Sequence, residues 1–271
     1  MLPERTETLL RAIDGCAAAS GLLLVGGTAL ALRIAHRRSA DLDFAFASLR
    51  LPRRKLDELL GELRTGHDVL AMANAAAEQD FLDSGLELAD YQRDYSVDGV
   101  KVSFFTPDPA KLAQAVRAEA HVQGLKRIRV ADLDSLFLMK AVTLNSRMTT
   151  RDLFDVYTLV REHGYRQADI FRYARQFDFS PDALKTRLLH ARRRVDDPGI
   201  ELPAGVPTPT FEQLQAFFVE AINRVEQETA AEAVRQPGNG SGGSDSAAAT
   251  RSSRRKRGAL RGSRRQPRQP G

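Results

Sequence analysis

One stretch near the start of the chain, residues 22–46, constrains the fold more than any other. A short apolar run, Leu22 to Val25, predicts a buried strand, because the turn signal Gly26-Gly27 ends it and a helical pattern up to Ala35 follows. Glycines at such a turn let a ligand approach the backbone, and the first amides of the next helix favour an anion. The stretch therefore predicts a strand, turn and helix suited to phosphate groups.

The same stretch ends in two carboxylates one residue apart, in the sequence Asp41-Leu42-Asp43. If residues 42–46 form a strand, Asp41 and Asp43 point to the same face, since side chains alternate along a strand. Two carboxylates so placed can share a hard divalent cation such as Mg2+ and leave ligand positions for substrate phosphates. Alone, a glycine pair or an Asp-x-Asp is more often a turn or a solvated strand face. Their order along the chain is what favours a catalytic interpretation.

That order carries a family resemblance. The string GGTALAL…RRSADLDF, with a helix of about two turns between its parts, resembles the first motif of polymerase-β-like nucleotidyltransferases and, within them, the AbiEii/AbiGii toxin group. The resemblance spans about residues 20–165. It implies an α/β (α+β) fold, in which a small mixed-sheet nucleotidyltransferase core is followed by a helical domain.

Two later stretches resemble further motifs of the same family. The stretch Leu138 to Val142 is similar to the helix that carries the family's lysine, here Lys140, and Arg151 to Tyr157 is similar to its R-D-x-x-D signature. Asp152 and Asp155 are three residues apart and share a helix face. Taken alone, that second stretch is a solvated charge pattern. With the upstream motif, it predicts acids that orient the lysine or the nucleotide.

The resemblance implies the roles of individual residues. Mg2+ or Mn2+ would be held by Asp41 and Asp43. The catalytic residues would be Asp41, Asp43, Lys140 and Asp152, with Asp152 either a base or the residue that orients Lys140. The nucleotide would contact Gly26, Gly27, Thr28, Arg38, Ser39, Lys140 and Asp155. The partners implied are a nucleoside triphosphate, an acceptor that is RNA (especially the 3′ end of tRNA) or a protein side chain, and a separately encoded antitoxin.

One position departs from the superfamily's pattern. A strand such as Val100 to Phe105 usually supplies a third carboxylate, but this chain has Ser103 at the matching position. Three explanations stay open. Two carboxylates suffice, another acid such as Asp94 or Asp98 takes the place, or the catalytic site is impaired.

Two rival functions follow. The first is a nucleotidyltransferase of the same superfamily that modifies a small molecule resembling an aminoglycoside, which would need acids facing a cationic acceptor. The second is a noncatalytic nucleotide-binding protein that keeps the fold, and Ser103 is its main support. A nucleic-acid-binding protein with a basic tail is a weaker third.

Composition limits the class of protein. The chain has 271 residues, 42% of them hydrophobic, and contains no apolar run long enough for a membrane span. The N-terminal residues do not resemble a signal peptide. The single cysteine, Cys16, excludes an internal disulfide framework. These features predict a soluble cytoplasmic protein.

We expect three segments, namely a core over 1–106, a helical domain over 107–235 that contributes Lys140 and Asp152, and a disordered tail over 236–271. The tail has nine Lys or Arg against Asp245, a net charge of +8, so the +5 of the whole chain leaves 5 − 8 = −3 for residues 1–235. Such a tail either contacts RNA phosphates or is a dispensable extension.

The sequence patterns also predict individual elements. Helices are expected over 3–19, 111–120, 133–143 and 151–163, with Asp132 as the N-cap of the third and either Thr149 or Thr150 as the N-cap of the fourth. Strands are expected over 68–76, 78–83, 86–91 and 100–105.

Overall fold

The computed structural model describes residues 2–108, 110–119 and 124–235. Its contacts divide the chain into two compact units, Met1–Thr229 and Ala230–Gly271. The tail that the sequence predicts to be disordered, 236–271, lies outside the described residues. No helix in the described part of the chain is both long and apolar enough to cross a membrane.

The described residues form seven strands and ten α-helices. The strands are β1 (Leu23–Val25), β2 (Leu42–Ala45), β3 (Val69–Met72), β4 (Gln92–Val97), β5 (Val100–Phe105), β6 (Ala118–Glu119) and β7 (Arg129–Ala131). The helices are α1 (Glu4–Gly15), α2 (Gly26–Ile34), α3 (Arg53–Leu63), α4 (Ala75–Asp83), α5 (Ala110–Ala115), α6 (Leu133–Thr143), α7 (Thr150–Glu162), α8 (Gln167–Gln176), α9 (Pro181–Leu189) and α10 (Phe211–Arg235).

The strands make one mixed sheet in the order β3-β4-β5-β2-β1-β7-β6. Its register aligns one row of residues across five strands, in the order Val25, Asp43, Ser103, Asp94 and Met72. Residues paired in register point to the same face of a sheet. The carboxylate of Asp43, the hydroxyl of Ser103 and the carboxylate of Asp94 therefore share one face.

The residues that alternate with this row form the core. Leu42, Phe44, Val102 and Phe104 are all fully buried, and the rings of Phe44 and Phe104 stack with their centroids 5.5 Å apart. They belong to the same apolar cluster as Ile13 of α1 and Leu56 of α3. The sheet thus has an apolar side and a side that carries the acids.

The helices after residue 131 are joined to the sheet through β7, which pairs in parallel with β1. Asp132 caps α6 by accepting a hydrogen bond from the amide of Ser135, and Thr149 caps α7 through the amide of Asp152. Both caps match the sequence prediction. Because β6 and β7 belong to the sheet, the segment 107–235 is not purely helical. The domain boundary at residue 106 itself stays a prediction.

Some predicted elements are wrong. Residues 78–83 lie in helix α4 instead of a strand, because Asn74 caps a run of alanines by accepting from the amide of Ala77. Residues 86–91 contain a short 3-10 helix, Leu88–Asp90, and no strand. The predicted helix 111–120 ends earlier, at Ala115, and a strand follows it. None of the α4 residues is buried, so no burial pattern marked that helix in the sequence.

Candidate active site

Asp41 directly precedes β2, and Asp43, the second residue of that strand, lies at a cavity of about 240 Å³. Asp43 lines that cavity together with Gly26, Lys140 and Arg147. Among the described residues, no hydrogen bond or ion pair of the Asp43 carboxylate is found. Burial raises its pKa, the Asp41 charge adds to the rise, and Lys140 opposes it. The positive charge near Asp43 is therefore too weak to offset the cost of burying its carboxylate.

Asp41 is the more open member of the pair. Its side chain is 46% exposed, and its nearest cation is Arg151, whose Nη1 lies 4.0 Å from Oδ2. A contact of that length at the surface contributes little. Asp41 and Asp43 thus form a pair of carboxylates at the start of one strand, and the positive side chains nearby balance little of their negative charge.

The two glycines accommodate side chains of the protein itself. Gly26 has a φ of +71°, and a Cβ atom there would lie 2.5 Å from the Oδ2 atom of Asp43. A Cβ atom on Gly27 would overlap the guanidinium of Arg37. Both positions thus require glycine for internal packing, which is a second reason for the motif besides the predicted approach of phosphate.

Lys140 lies between the cavity and two aspartates of α7. Its Nζ atom is 3.0 Å from Asp152 Oδ1 and 2.7 Å from Asp155 Oδ2, and the residue is 7% exposed. Burial by itself would lower the pKa of Lys140, but the charges of Asp155 and Asp152 outweigh it, and the pKa is raised. Lys140 is therefore a fixed cation in the wall of the cleft.

Asp152 is held by three further contacts besides Lys140. It accepts hydrogen bonds from Arg147 Nε at 3.1 Å, from Arg147 Nη2 at 3.4 Å and from the Thr149 hydroxyl at 2.8 Å. Burial would raise the pKa of Asp152, but Lys140 and Arg147 outweigh it and lower the pKa to about 2. Such a carboxylate is a weak base at neutral pH.

Asp155 is fully buried and is the centre of a second set of contacts. Arg37 donates to it from Nε at 2.6 Å and Nη2 at 2.9 Å, and His36 donates from Nε2 at 2.7 Å. Burial would raise the pKa of Asp155, but Lys140 and the bonds from Arg37 and His36 hold it well below its usual range. Asp155 thus joins the end of α2 to α6 and α7, without exposure to the cleft.

Sequence reasoning assigned no role to His36, Arg37 or Arg147. The sequence did contain a signal that a further cation is needed. Asp152 and Asp155 share one helix face, and Lys140 alone cannot balance both charges if that face is buried. That signal did not say which cation supplies the balance. Only the fold brings Arg37 to Asp155, 118 residues away in sequence.

Five of the seven predicted nucleotide contacts do not line the cavity at Asp43, namely Gly27, Thr28, Arg38, Ser39 and Asp155. The Arg38 side chain, 43% exposed, pairs with Glu201 at 2.6 Å. The Ser39 hydroxyl lies 3.0 Å from that of Thr28, which also donates to the backbone carbonyl of Asp41. Thr28 and Ser39 are both buried. They hold the backbone in place before Asp41.

The two acids proposed to replace a carboxylate at Ser103 differ in position. Asp94 pairs with Ser103 across β4 and β5, accepts from the Gln92 amide at 3.0 Å, and has Lys101 Nζ at 3.8 Å. Asp98 lies at the turn between these strands and binds His67 Nδ1 at 2.6 Å. Of the two, Asp94 is the one that shares the row with Asp43.

The described residues contain no group of three or more His, Cys, Asp or Glu side chains that could hold a metal ion. Asp41 and Asp43 are a pair, and an unbalanced carboxylate pair suits a hard cation. Mg2+ commonly takes one or two carboxylates and completes its octahedron with phosphate oxygens and water. The pair therefore fits a metal that arrives with its nucleotide better than a closed metal site.

The mixed sheet with two carboxylates near a buried lysine is the arrangement expected of a nucleotidyltransferase-like protein from the sequence motifs. A family model described as the nucleotidyl transferase AbiEii toxin of type IV toxin–antitoxin systems matches residues 8–237. The chain belongs to this family, which confirms the family and the α/β (α+β) fold expected from its motifs.

One solved structure that the chain matches is MenT4, a nucleotidyltransferase toxin from Mycobacterium tuberculosis H37Rv. It is 13% identical, has a TM-score of 0.47, and the match covers 80% of this chain and 81% of that chain. So distant a likeness adds nothing to the assignment. A search of curated proteins found no match.

Proposed function

We propose that this protein is a metal-dependent nucleotidyltransferase toxin that transfers a nucleoside monophosphate from a triphosphate to RNA, with the 3′ end of tRNA as the first acceptor to test. The observation that carries the proposal is the Asp43 carboxylate, which faces a cleft beside the Lys140 cation and lacks a partner in the described residues. Membership of the AbiEii family supports the reaction class.

The metal would be Mg2+ or Mn2+, held by Asp41 and Asp43. When bound, such an ion neutralises charge on the triphosphate and polarises the phosphate that is attacked. The protein contributes the pair of carboxylates. The cationic side chains near the cleft do not neutralise both of them, so a bound cation would.

Two cationic side chains, Lys140 and Arg147, line the cleft together with Asp43 and would contact the triphosphate. Lys140 is held in place by two aspartates, and Arg147, whose side chain is 67% exposed, also lines the cleft. An acceptor hydroxyl attacks the α-phosphorus and releases its proton to water. The bond between the α-phosphorus and the oxygen that bridges it to the β-phosphorus breaks, and pyrophosphate leaves. Lys140 and Arg147 stabilise the charge that develops on the departing phosphates.

Asp152 is proposed as a positioning residue. Its pKa of about 2 makes it a poor proton acceptor at neutral pH. Its contacts with Lys140 and Arg147 instead fix both cations at the edge of the cleft. Asp155 holds Lys140 from the buried side and is itself held by Arg37.

The test combines purified protein, total RNA, Mg2+ and each of the four α-labelled nucleoside triphosphates in turn. We expect label to enter RNA with the wild type and not with Asp41→Ala/Asp43→Ala. The matched control replaces two exposed acids outside the cleft, Asp80→Ala/Asp182→Ala, and should keep full transfer. Equal labelling by wild type and Asp41→Ala/Asp43→Ala would refute the proposal.

Other outcomes select between the rivals. Pyrophosphate release without labelled RNA would point to a protein or small-molecule acceptor, for which the acids Asp94 and Glu87 near the open edge of the sheet offer cation-binding groups. Triphosphate binding without any release would favour a noncatalytic nucleotide-binding protein, with Ser103 as its mark. A cognate antitoxin and a cytoplasmic location, expected from the family and from the single Cys16, complete the proposal.

A further inference from the structure

A second cavity adjoins the cleft and carries more positive than negative side chains. Its volume is about 570 Å³, and its walls are the turn between α6 and α7, the end of α9 and the segment 190–198. We call it the basic groove. Its charged or titratable lining residues are Arg147, Arg187, His190, Arg192, Arg194, Asp196 and Asp197. Ser146 and Arg147 also line the cavity at Asp43, so the basic groove and the cleft meet at these two residues.

Both aspartates of the basic groove are already bound to other groups. Asp196 accepts hydrogen bonds from Nε and Nη2 of Arg194, each at 2.9 Å. Asp197 is 8% exposed and accepts from the amide and the hydroxyl of Thr150, each at 2.7 Å, and from the Gly199 amide at 2.9 Å. Neither acid is therefore a partner of the remaining arginines.

Two arginines of the basic groove keep their positive charge without a carboxylate. Arg187 donates from Nη1 to the carbonyl of Asn145 at 3.1 Å and from Nη2 to the carbonyl of Ser146 at 2.7 Å. These bonds fix the guanidinium against the turn between α6 and α7 but do not neutralise it. Among the described residues, no hydrogen bond or ion pair of the Arg192 side chain is found. Both arginines are exposed, so their charges are available to a ligand.

The chemistry of these cations favours phosphate groups. A guanidinium presents several N–H donors in a rigid plane, which matches the oxygens of a phosphate. An acidic protein segment would meet the same charges. RNA is favoured because the basic groove leads to the cleft in which the proposed acceptor hydroxyl reacts, and a strand bound there has its next phosphates beside Arg147.

We propose that the basic groove binds the sugar–phosphate backbone of the acceptor RNA. Arg187 and Arg192 contact phosphates, and the strand continues past Arg147 so that its terminal hydroxyl enters the cleft at Asp43. This inference rests on the proposed transfer to RNA. Phosphate contacts carry no sequence information, so the basic groove contributes affinity and the direction of the strand, and does not recognise bases.

The test is binding of fluorescein-labelled total tRNA to the full-length protein, without Mg2+ or nucleotide, at several salt concentrations. Residues 236–271 are present in every variant, so their charge affects all of them equally. Arg187→Gln/Arg192→Gln should weaken binding about tenfold in about 0.1 M salt and reduce the salt dependence by about 0.7–0.9 per lost contact. The matched control, Arg161→Gln/Arg175→Gln, removes two exposed arginines of α7 and α8 outside the groove and should change the affinity by less than about twofold.

Asp196→Asn provides a change in the opposite direction. It removes the acid that pairs with Arg194 and leaves every cation of the basic groove in place. We expect tRNA binding to become about three- to fivefold tighter, because Arg194 is then available to a phosphate. A gain of affinity cannot result from misfolding. The matched control is Asp80→Asn, an exposed acid of α4, which should leave the affinity unchanged.

The transfer reaction supplies an independent readout. Arg187→Gln/Arg192→Gln should raise the KM for tRNA and leave the KM for the nucleoside triphosphate unchanged. Asp41→Ala/Asp43→Ala should bind tRNA at least as tightly as the wild type does, although it transfers nothing. Because tRNA binding is measured without metal or nucleotide, failure of the proposed catalysis and failure of the basic groove can be told apart.

The proposal is overturned if Arg187→Gln/Arg192→Gln binds tRNA with the affinity and salt dependence of the wild type, or if Asp196→Asn binds no more tightly. Loss of poly-L-glutamate binding in Arg187→Gln/Arg192→Gln, with tRNA binding unchanged, would also overturn it and assign the basic groove to an acidic protein. Loss of tRNA binding in Asp41→Ala/Asp43→Ala would place the RNA at another site.

Discussion

Asp43 is a residue whose buried charge lowers the stability of the folded protein. Its raised pKa means that the folded protein disfavours the charged form, so stability rises as the pH falls toward that pKa. Without divalent metal, Asp43→Asn should therefore raise the free energy of unfolding at pH 7 by roughly 0.5–1 kcal/mol, while nucleotidyl transfer is lost. Urea unfolding with and without EDTA measures this.

Added Mg2+ distinguishes a binding role from simple burial. A cation that binds only the folded state stabilises it in proportion to the logarithm of its concentration. Mg2+ with a nucleoside triphosphate should raise the melting temperature of the wild type and of the control Asp182→Asn, and leave Asp43→Asn nearly unchanged. An equal rise in all three would show that the ion binds elsewhere.

Asp152 has the opposite effect on the pH dependence of stability. Its pKa is lowered from a usual value of 3.8 to about 2. Its contribution to stability is therefore complete above about pH 4 and is lost as the pH falls from about 4 to 2. Asp152→Asn should lower the free energy of unfolding at pH 7 by about 2 kcal/mol, and the difference from wild type should shrink toward pH 3.

Urea unfolding of both proteins at several pH values between 3 and 7 checks the direction. An exposed control, Asp80→Asn, should change stability by less than about 0.5 kcal/mol throughout. A deficit in Asp152→Asn that stays constant with pH would mean that the loss comes from packing and not from the ionised carboxylate.

At the scale of the element, the turn between β1 and α2 should tolerate no side chain at Gly26. Gly26→Ala combines a left-handed backbone, with φ at +71°, with a Cβ atom that would meet the Asp43 carboxylate. We expect a loss of about 1–3 kcal/mol and weaker metal binding.

Helix α3 supplies the matched control for that substitution. Gly61 is exposed within this helix, and a Cβ atom there would meet nothing within 4 Å. Gly61→Ala should stabilise the protein by about 0.5–1 kcal/mol, because alanine favours the helix. Equal effects of the two substitutions in urea unfolding would contradict the role given to Gly26.

Strand register makes a further prediction at Ser103. The pairing of β2 with β5 places Ser103 directly beside Asp43. Ser103→Asp should lower the melting temperature without metal, since like charges on neighbouring strands repel. In Mg2+ it should gain more stability than the wild type, because a third carboxylate then shares the ion.

The control for Ser103→Asp is Ser96→Asp, on the same face of the neighbouring strand but paired with Lys101. It should show no additional response to Mg2+. If Ser103→Asp also gained nothing from Mg2+, the carboxylates of the row would not act on one ion.

At the scale of the whole molecule, charge is divided between the body and the tail. Residues 236–271 carry +8 and the remainder carries −3, from a total of +5. If the tail supplies RNA affinity, deletion of residues 236–271 should reduce the salt dependence of RNA binding by up to about 0.7 per lost phosphate contact. Filter binding at several salt concentrations measures the slope.

A full-length control separates charge from length. Replacement of Arg254, Arg255, Lys256 and Arg257 by glutamine should lower the slope by an intermediate amount. Equal slopes in all three proteins would identify the tail as a dispensable extension.

The sequence by itself determined the features that depend on neighbouring residues. The strand, glycine turn, helix and Asp-x-Asp order follows from local propensity and alternation. So do the caps at Asp132 and Thr149, because a cap bonds to an amide within the next turn. The family followed from the same local order of motifs.

Only the tertiary structure decided which distant residues meet. It placed His36 and Arg37 on Asp155, joined β7 to β1, and aligned Asp94 with Ser103 and Asp43. Such contacts span up to 119 residues, and no local propensity reports them. They depend on how strand register and helix packing combine, because a buried charge accepts whichever opposite charge the fold brings within hydrogen-bonding distance.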